Sequence, residues 1–416
     1  MKVLVLGSGA REHALVKAVA ADPEVEAVIA APGNPGIDAT ALCVPVDVLD
    51  GAAVAALARE HEVDLVVVGP EAPLVAGVAD ACLEAGVPVF GPSAQAAQLE
   101  GSKSFAKEVM AAADVPTAMA HVCETVEEVE AALDALGSPY VVKDDGLAAG
   151  KGVVVTESRA DAVEHARACL AKDGGRVVVE EFLDGPEVSV FCISDGTSVV
   201  ALSPAQDFKR VGDDDAGPNT GGMGAYSPLE WAPEGLADDI VARVAQPTID
   251  EMRRRGTPFV GILYVGLALT SRGPRVVEFN ARLETPFAQL LFAAATGALA
   301  DFGRLRWSED RAVVVVIASE GYPSSPRTGD PVTGLDAAAE VPGVVVLHAG
   351  TALDASGQLV SAGGRVLDVV AVGSTLAKAR QAAYDAVAVI DLPGSHHRTD
   401  IALRAERGDL TTGAAR

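Results

Sequence analysis

The sequence is short of several things, and each shortage excludes something. Aromatic residues make up only 4% of its 416 positions, so the bases of a nucleic-acid strand would find few rings to stack on. Positive charge is outnumbered, with 32 Lys and Arg against 58 Asp and Glu and a net charge of −26. Such a body repels phosphate backbones and anionic membranes. A small anion can bind only where cations are gathered locally. Lysine is the scarcer of the two strong cations: Lys2, Lys17, Lys103, Lys107, Lys143, Lys151, Lys172, Lys209 and Lys378 complete the set. The five cysteines, Cys43, Cys82, Cys123, Cys169 and Cys192, form no CxxC pair, which argues for buried thiols in a reducing compartment. No stretch approaches the roughly 20 apolar residues of a membrane span. The opening apolar run is too short for a secretory signal, so the cytoplasm is the expected location.

What is present is a globular composition, 49% hydrophobic and 22% charged, long enough for about two to four domains. The first hundred residues alternate short β-branched runs at 3–6, 25–30, 65–68 and 87–90 with Ala-rich amphipathic stretches at 11–21, 52–60 and 73–84. That order predicts a parallel sheet with helices on both faces. Ser102 is a plausible N-cap for a helix that ends before Pro116. From about 117 to 190 a small mixed α/β unit is expected, with strands at 141–143, 153–156 and 177–182 and a helix over 161–170. Residues 187–282 read as longer strands, a long polar loop at 203–227 and a helix near 235–255. The tail returns to strands at 312–318, 344–349 and 365–372, then a helix at 376–386, and is expected to fray after 406.

Seven segments carry chemistry. Gly7-Ser8-Gly9-Ala10-Arg11-Glu12-His13 lies between a strand and a helix, where bare amides and the helix dipole favour an anion. A dinucleotide fingerprint fits poorly, because Glu12 fills its third small position and the second strand does not end in an acid. The turn holding Glu71 follows another strand and falls at the same sheet edge. Lys143-Asp144-Asp145-Gly146-Leu147-Ala148-Ala149-Gly150-Lys151-Gly152 joins two strands through small residues, which suits a flexible phosphate lid and not a Walker A loop. Lys103 and Lys107, one helical turn apart, are candidates for the same phosphates. Glu180-Glu181-Phe182-Leu183, leading to Glu187, can hold a purine by main-chain hydrogen bonds and a ribose by a carboxylate; a plain acidic turn would look the same. Asp207, Lys209 and Arg210, followed by Asn219 and Thr220, sit in a long Gly-rich run of the kind that is usually functional, with Lys209-Arg210 a fork for phosphate or carboxylate. In Glu278-Phe279-Asn280-Ala281-Arg282 the polar residues alternate along a strand. Glu278 and Asn280 offer the oxygen ligands Mg²⁺ prefers, and Arg282 could steady a transferring phosphoryl group.

Taken in order, these segments resemble the phosphoribosylamine–glycine ligases of the ATP-grasp superfamily. The likeness extends through Gly321-Tyr322-Pro323, His348-Ala349-Gly350-Thr351 and Gly363-Gly364-Arg365-Val366-Leu367 to about Leu403. It implies an α/β chain with an N-terminal doubly wound parallel-sheet substrate domain (1–101). An ATP-grasp domain pair follows (102–310, a small part about 117–190 and a larger part about 191–310), then a C-terminal mixed α/β domain (311–416). It implies ATP as co-substrate with Mg²⁺ or Mn²⁺, and a monomer that joins glycine to 5-phosphoribosylamine through glycyl phosphate in purine biosynthesis. By motif, Lys151, Arg282 and Lys209 would be catalytic, and Glu278 and Asn280 would hold the metal. Lys103, Lys107, Lys143, Gly150, Lys151, Glu180, Glu181, Phe182, Leu183 and Glu187 would bind the nucleotide. Gly9, Arg11, Glu71, Asp207, Lys209, Arg210, Asn219 and Thr220 would bind the other substrates. The chain departs from the family pattern at Asp144 (usually Ala), at Phe208 (usually His) and after Arg282. There it runs directly into Leu283-Glu284-Thr285-Pro286, which implies that a signature stretch of about a dozen residues, some three helical turns, is missing. A nucleotide-binding homologue impaired in catalysis is the alternative that this gap raises.

Overall fold

Burial on both faces shapes the first sheet. In the computed structural model, which describes residues 1–146, 152–280, 288–303, 305 and 307–410 (the backbone only at 278–280), strand Lys2–Gly7 is central. Ala27–Pro32 and Leu65–Val68 flank it, and Leu42–Cys43 and Val89–Phe90 lie outermost. Every pairing is parallel. Because side chains alternate along a strand, Val3 and Val5 enter one core with Leu15, Val16 and Val19. Leu4 and Leu6 enter the other with Val54, Leu57 and Val78. The expected doubly wound sheet is therefore present. The stretch expected as one helix at 73–84 is two, Glu71–Val75 and Val78–Glu84. Gly77 between them has φ +86°, a left-handed conformation that a right-handed helix does not contain. Helix Ala288–Ala295 sends Leu290, Leu291 and Ala294 into the same core as Val3 and Val5, so a segment far along the chain completes one face of this sheet.

The Ser102 hydroxyl accepts from the Phe105 amide at 3.2 Å and caps helix Lys103–Ala112. Next comes an antiparallel sheet of Ala120–Cys123, Val177–Glu180, Tyr140–Asp144 and Val153–Thr156. Helices Val126–Leu136 and Arg159–Leu170 pack against it through Val129, Leu133, Val163 and Ala166. A second antiparallel sheet contains Val199–Ala201, Glu187–Asp195, Val260–Thr270 and Gly273–Asn280. The helix expected near 235–255 is continuous but holds a π-helical turn at Val241–Ala245, just before Pro247. Proline has no amide to continue the i to i−4 ladder, and a wider turn absorbs the mismatch.

The stretch 203–227 is not a loop. It contains strands Gln206–Asp207, Arg210–Gly212, Ala216–Asn219 and Gly224–Ser227. The first and last join the C-terminal strands in one antiparallel sheet, ordered Gln206–Asp207, Gly224–Ser227, Arg311–Ala318, Arg365–Gly373 and Val344–His348. Gly224 pairs with Val315 and Ser227 with Ala312, so partners some ninety residues away satisfy the amides of a segment without an apolar pattern of its own. Helix Leu376–Val387 buries Ala379, Ala383 and Ala386 in the core of that sheet. Four cysteines are buried, as expected, whereas Cys43 is half-exposed. Burial pushes the Cys82 and Cys123 thiols up to about 11 and Cys192 up to about 12, which leaves them unreactive near neutrality. Among the described residues no helix is long and apolar enough to cross a membrane.

Candidate active site

All of the described residues singled out from the sequence by their side chains or loop amides border one cleft of about 2090 Å³ between the sheets. At its deepest point a single carboxylate faces two ammonium groups. Glu180, at the end of its strand, is 4% exposed; its two oxygens meet Lys107 Nζ at 3.2 Å and Lys143 Nζ at 2.9 Å. Lys107 also donates to Thr117 Oγ1 at 2.9 Å and to the Ala118 carbonyl at 3.1 Å, and Lys143 donates to the Val277 carbonyl at 3.1 Å. Burial alone would raise the Glu180 carboxyl, but Lys143 and then Lys107 outweigh it and hold it below the usual range. Burial pushes Lys107 downward despite the pull of Glu180. Two buried cations against one anion leave a surplus positive charge in a low-dielectric recess, which attracts a further anion.

The lid segment starts from a fixed base. Asp145 accepts from the Ser104 amide at 2.6 Å and from its hydroxyl at 2.7 Å, and pairs with Arg176 at 3.2 Å. Lys103 does not join Lys107 at the carboxylate but donates to the Gly146 carbonyl at 3.0 Å. Asp144 is satisfied by a close ion pair with Lys172. Gly150 and Lys151 lie outside the described residues.

Next to Glu180, the Glu181 amide donates to the Met119 carbonyl at 2.9 Å, and the Glu181 carboxylate takes the Met119 amide and Arg272. Phe182 is 46% exposed on the cleft wall beside Leu183. Glu187 makes a close ion pair with Lys209, which also lies 3.8 Å from Asp207.

The residues expected to meet the other substrates, and their neighbours in the cleft lining, come from three regions distant in sequence. At the first turn, the Glu12 carboxylate is 4% exposed and accepts from the Gly9 amide at 2.7 Å. Burial raises this carboxyl, and Arg11 and the Gly9 amide offset only part of that rise. A Cβ on Gly69 would lie 2.2 Å from Glu12 and one on Gly7 2.5 Å away, so glycine at both turns is what admits the buried acid. Glu12, read from the sequence as a mismatch to a dinucleotide site, is the group that shapes this loop. Arg11 donates to the Gly69 carbonyl and lies 3.5 Å from Glu71. In the second stretch, Arg210 pairs across a hairpin with Asn219 and donates to the Gly217 carbonyl at 2.7 Å. Thr220 donates its amide at 2.7 Å and its hydroxyl at 2.8 Å to the Lys209 carbonyl. The third stretch was assigned no role from the sequence: Arg365 donates to the Gly221 carbonyl, and Tyr322 Oη accepts the Gly221 amide at 3.1 Å.

For the metal, strand positions 278 and 280 pair with Gly266 and Tyr264, adjacent to the Val277 carbonyl that holds Lys143. The side chains of Glu278 and Asn280 lie outside the described part, as does Arg282, and so does the 281–287 junction at which a missing stretch was expected. Among the described residues no three His, Cys, Asp or Glu are grouped to hold a metal.

Comparison with known proteins covers nearly the whole chain. Three family models match: the N domain of phosphoribosylglycinamide synthetase over residues 1–100, its ATP-grasp (A) domain over 101–288 and its C domain over 312–404. The phosphoribosylamine–glycine ligase of Streptomyces coelicolor is 63% identical over 97% of this chain and 99% of its own length. That of Leifsonia xyli is 56% identical over 97% and 100%. The crystal structure of the Thermotoga maritima phosphoribosylamine–glycine ligase superposes with a TM-score of 0.82 at 31% identity, over 96% of this chain and 100% of that one. The biotin carboxylase domain of Hydrogenobacter thermophilus 2-oxoglutarate carboxylase, solved with MgADP and bicarbonate, shares the fold at a TM-score of 0.71 and 16% identity.

Proposed function

The chain belongs to the phosphoribosylglycinamide synthetase family, and we infer that it joins glycine to 5-phosphoribosylamine at the expense of ATP, giving glycinamide ribonucleotide, ADP and phosphate. The observation that carries this reading is the division of one cleft. One part of its lining holds the surplus charge of Lys107 and Lys143 around Glu180, and Lys209 and Arg210 line the same cleft together with Gly9 and Arg11.

In this reading residues 1–101 are the substrate domain, 102–310 grip the nucleotide, and 311–416 close the cleft. A carboxylate oxygen of glycine attacks the γ-phosphorus of ATP, the bond to the β-phosphate oxygen breaks, and glycyl phosphate and ADP form. The amine nitrogen of phosphoribosylamine then attacks the glycyl carbonyl carbon; phosphate leaves with the acyl C–O bond electrons, and the amine gives up a proton. Little covalent work falls to side chains, because such transfers are accelerated mainly by positioning and charge neutralisation. Lys107 and Lys143 neutralise the phosphates, and Lys151 and Arg282 are assigned to the transferring group. Lys209 and Arg210 orient the anionic substrates, and Glu12, by accepting the Gly9 amide, fixes the first turn beside them in the cleft lining. The donor set of carboxylate and amide oxygen at positions 278 and 280, on a strand fastened to Lys143, fits Mg²⁺ or Mn²⁺. The ion would supply charge screening for the phosphates. The enzyme acts as a monomer in the cytoplasm.

Phosphate release from ATP tests the reading. It should require glycine and phosphoribosylamine together; release with neither, or none with both, would refute it.

A further inference from the structure

Arg398 is the largest fully buried side chain among the described residues, 1% exposed. It comes from the C-terminal part, yet it reaches across to a segment some 190 residues earlier. Its Nη1 donates to Asp215 at 2.7 Å and to the Arg210 carbonyl at 3.3 Å, and its guanidinium lies 4.8 Å from the centre of the Phe208 ring. Its Nε and Nη2 take both oxygens of Asp400 at 2.7 and 2.6 Å, which fixes the plane of the fork. The neighbours add to the seam: the Thr399 amide donates to Asp213 at 2.8 Å, and the Asp214 amide donates to Asp400 at 2.9 Å. Behind it, Tyr384 of helix Leu376–Val387 donates to the Arg398 carbonyl at 2.8 Å.

These contacts bracket one residue. Phe208 and Arg210, both held by Arg398, are the chain neighbours of Lys209, whose carbonyl is fixed from the far side by Thr220. We propose that Arg398 is a positioning residue: through Phe208, Arg210 and Asp215 it fixes where Lys209 and Arg210 meet the anionic groups of glycine and phosphoribosylamine. It touches none of the deep lysines, so its influence falls on those two substrates and not on the nucleotide. The inference rests on the ligase reading for the identity of the substrates. A buried guanidinium that met two carboxylates only to staple the fold would affect all ligands alike. A planar fork is needed to engage Asp400 bidentately while reaching Asp215 and a carbonyl, so lysine cannot replace it.

The test uses the full chain with Arg398→Lys and Asp215→Asn. Asp215 has a 64% exposed side chain, so its variant tests the seam without opening the core and decides the matter should Arg398→Lys fail to fold. The expected result is a fall of about tenfold or more in kcat/KM for glycine and phosphoribosylamine in Arg398→Lys, and a smaller fall in Asp215→Asn, with the Kd for MgADP within about twofold of the parent. Amide hydrogen exchange over 208–215 should quicken in both, a readout independent of activity. Folded variants with parental kcat/KM for both substrates, or with MgADP affinity lost in parallel, would overturn the proposal. An inactive parent chain would instead overturn the ligase reading, and the exchange measurement would still decide whether Arg398 holds the segment.

Discussion

The backbone amide of His348 donates to Nδ1 of His13 at 2.9 Å, joining the C-terminal sheet to the first helix across 335 residues of chain. The rings meet edge-on with centroids 5.7 Å apart, and Asn34 donates to both the Ser8 and His348 carbonyls at 2.8 and 2.9 Å. The glycine turn at Ser8-Gly9 is thereby fastened to the C-terminal sheet.

That contact needs a neutral His13, because a protonated ring has no acceptor at Nδ1. Burial first, then the charges of His348 and Lys17, lower His13 to about 4. Between about 6.5 and 4 the unfolded chain takes up this proton more readily than the folded one. The contribution, at most about 3 kcal/mol, is therefore complete above 6.5 and lost as pH falls towards 4. Denaturant melts of the parent and of His13→Gln at several pH values should show a flatter acid limb in the variant. Equal slopes would remove His13 from the account.

Gly36 lies under the same pair. A Cβ there would sit 2.5 Å from His348 and 2.6 Å from His13. Gly36→Ala should cost roughly 1–3 kcal/mol through overpacking. Gly137→Ala, where φ is +76° with ψ −179° and an added Cβ would meet nothing within 4 Å, should cost only the backbone strain, about 1–3 kcal/mol. Calorimetry on both separates the two causes, and a neutral Gly36→Ala would mean that the histidines shift freely.

Glu180→Gln should destabilise the ligand-free chain by about 3 kcal/mol, because it leaves Lys107 and Lys143 buried without their counter-charge. A polyphosphate would restore that charge. The rise in melting temperature on adding MgADP should therefore be larger in the variant than in the parent. A smaller rise would mean that the phosphates lie elsewhere.

Lys143→Met should weaken MgATP binding by about ten- to a hundredfold, the worth of a hydrogen bond between charged groups. Titration calorimetry reads this directly, and an unchanged Kd would take Lys143 out of the nucleotide site.

Much of this architecture could be read from residue order. Strands buried on both faces are continuous apolar runs, so 3–6 and 65–68 were plain, and Ser102 carried its capping chemistry in its identity. Lys107, Lys143 and Glu180 lie in motifs, although nothing local shows that one carboxylate takes both ammonium groups. The segment 203–227 was opaque because its first and last strands belong to the sheet of Arg311–Ala318, and strand propensity mostly reports such neighbours. Gly77 was a visible break within an apparently single helix. Glu12 was legible only as a misfit, since its burial depends on glycines at 7 and 69. Arg398 was invisible: its partners Asp215 and Phe208 are more than 180 residues away, and no spacing rule connects them.

Oxygen tracing bears most directly on the central claim that glycine is activated by phosphoryl transfer in this cleft. The chain is supplied with MgATP, phosphoribosylamine and glycine carrying ¹⁸O in both carboxylate oxygens. If a carboxylate oxygen attacks the γ-phosphorus, each phosphate released carries one ¹⁸O and the product amide retains the other. Phosphate free of label, formed in step with product, would contradict the account.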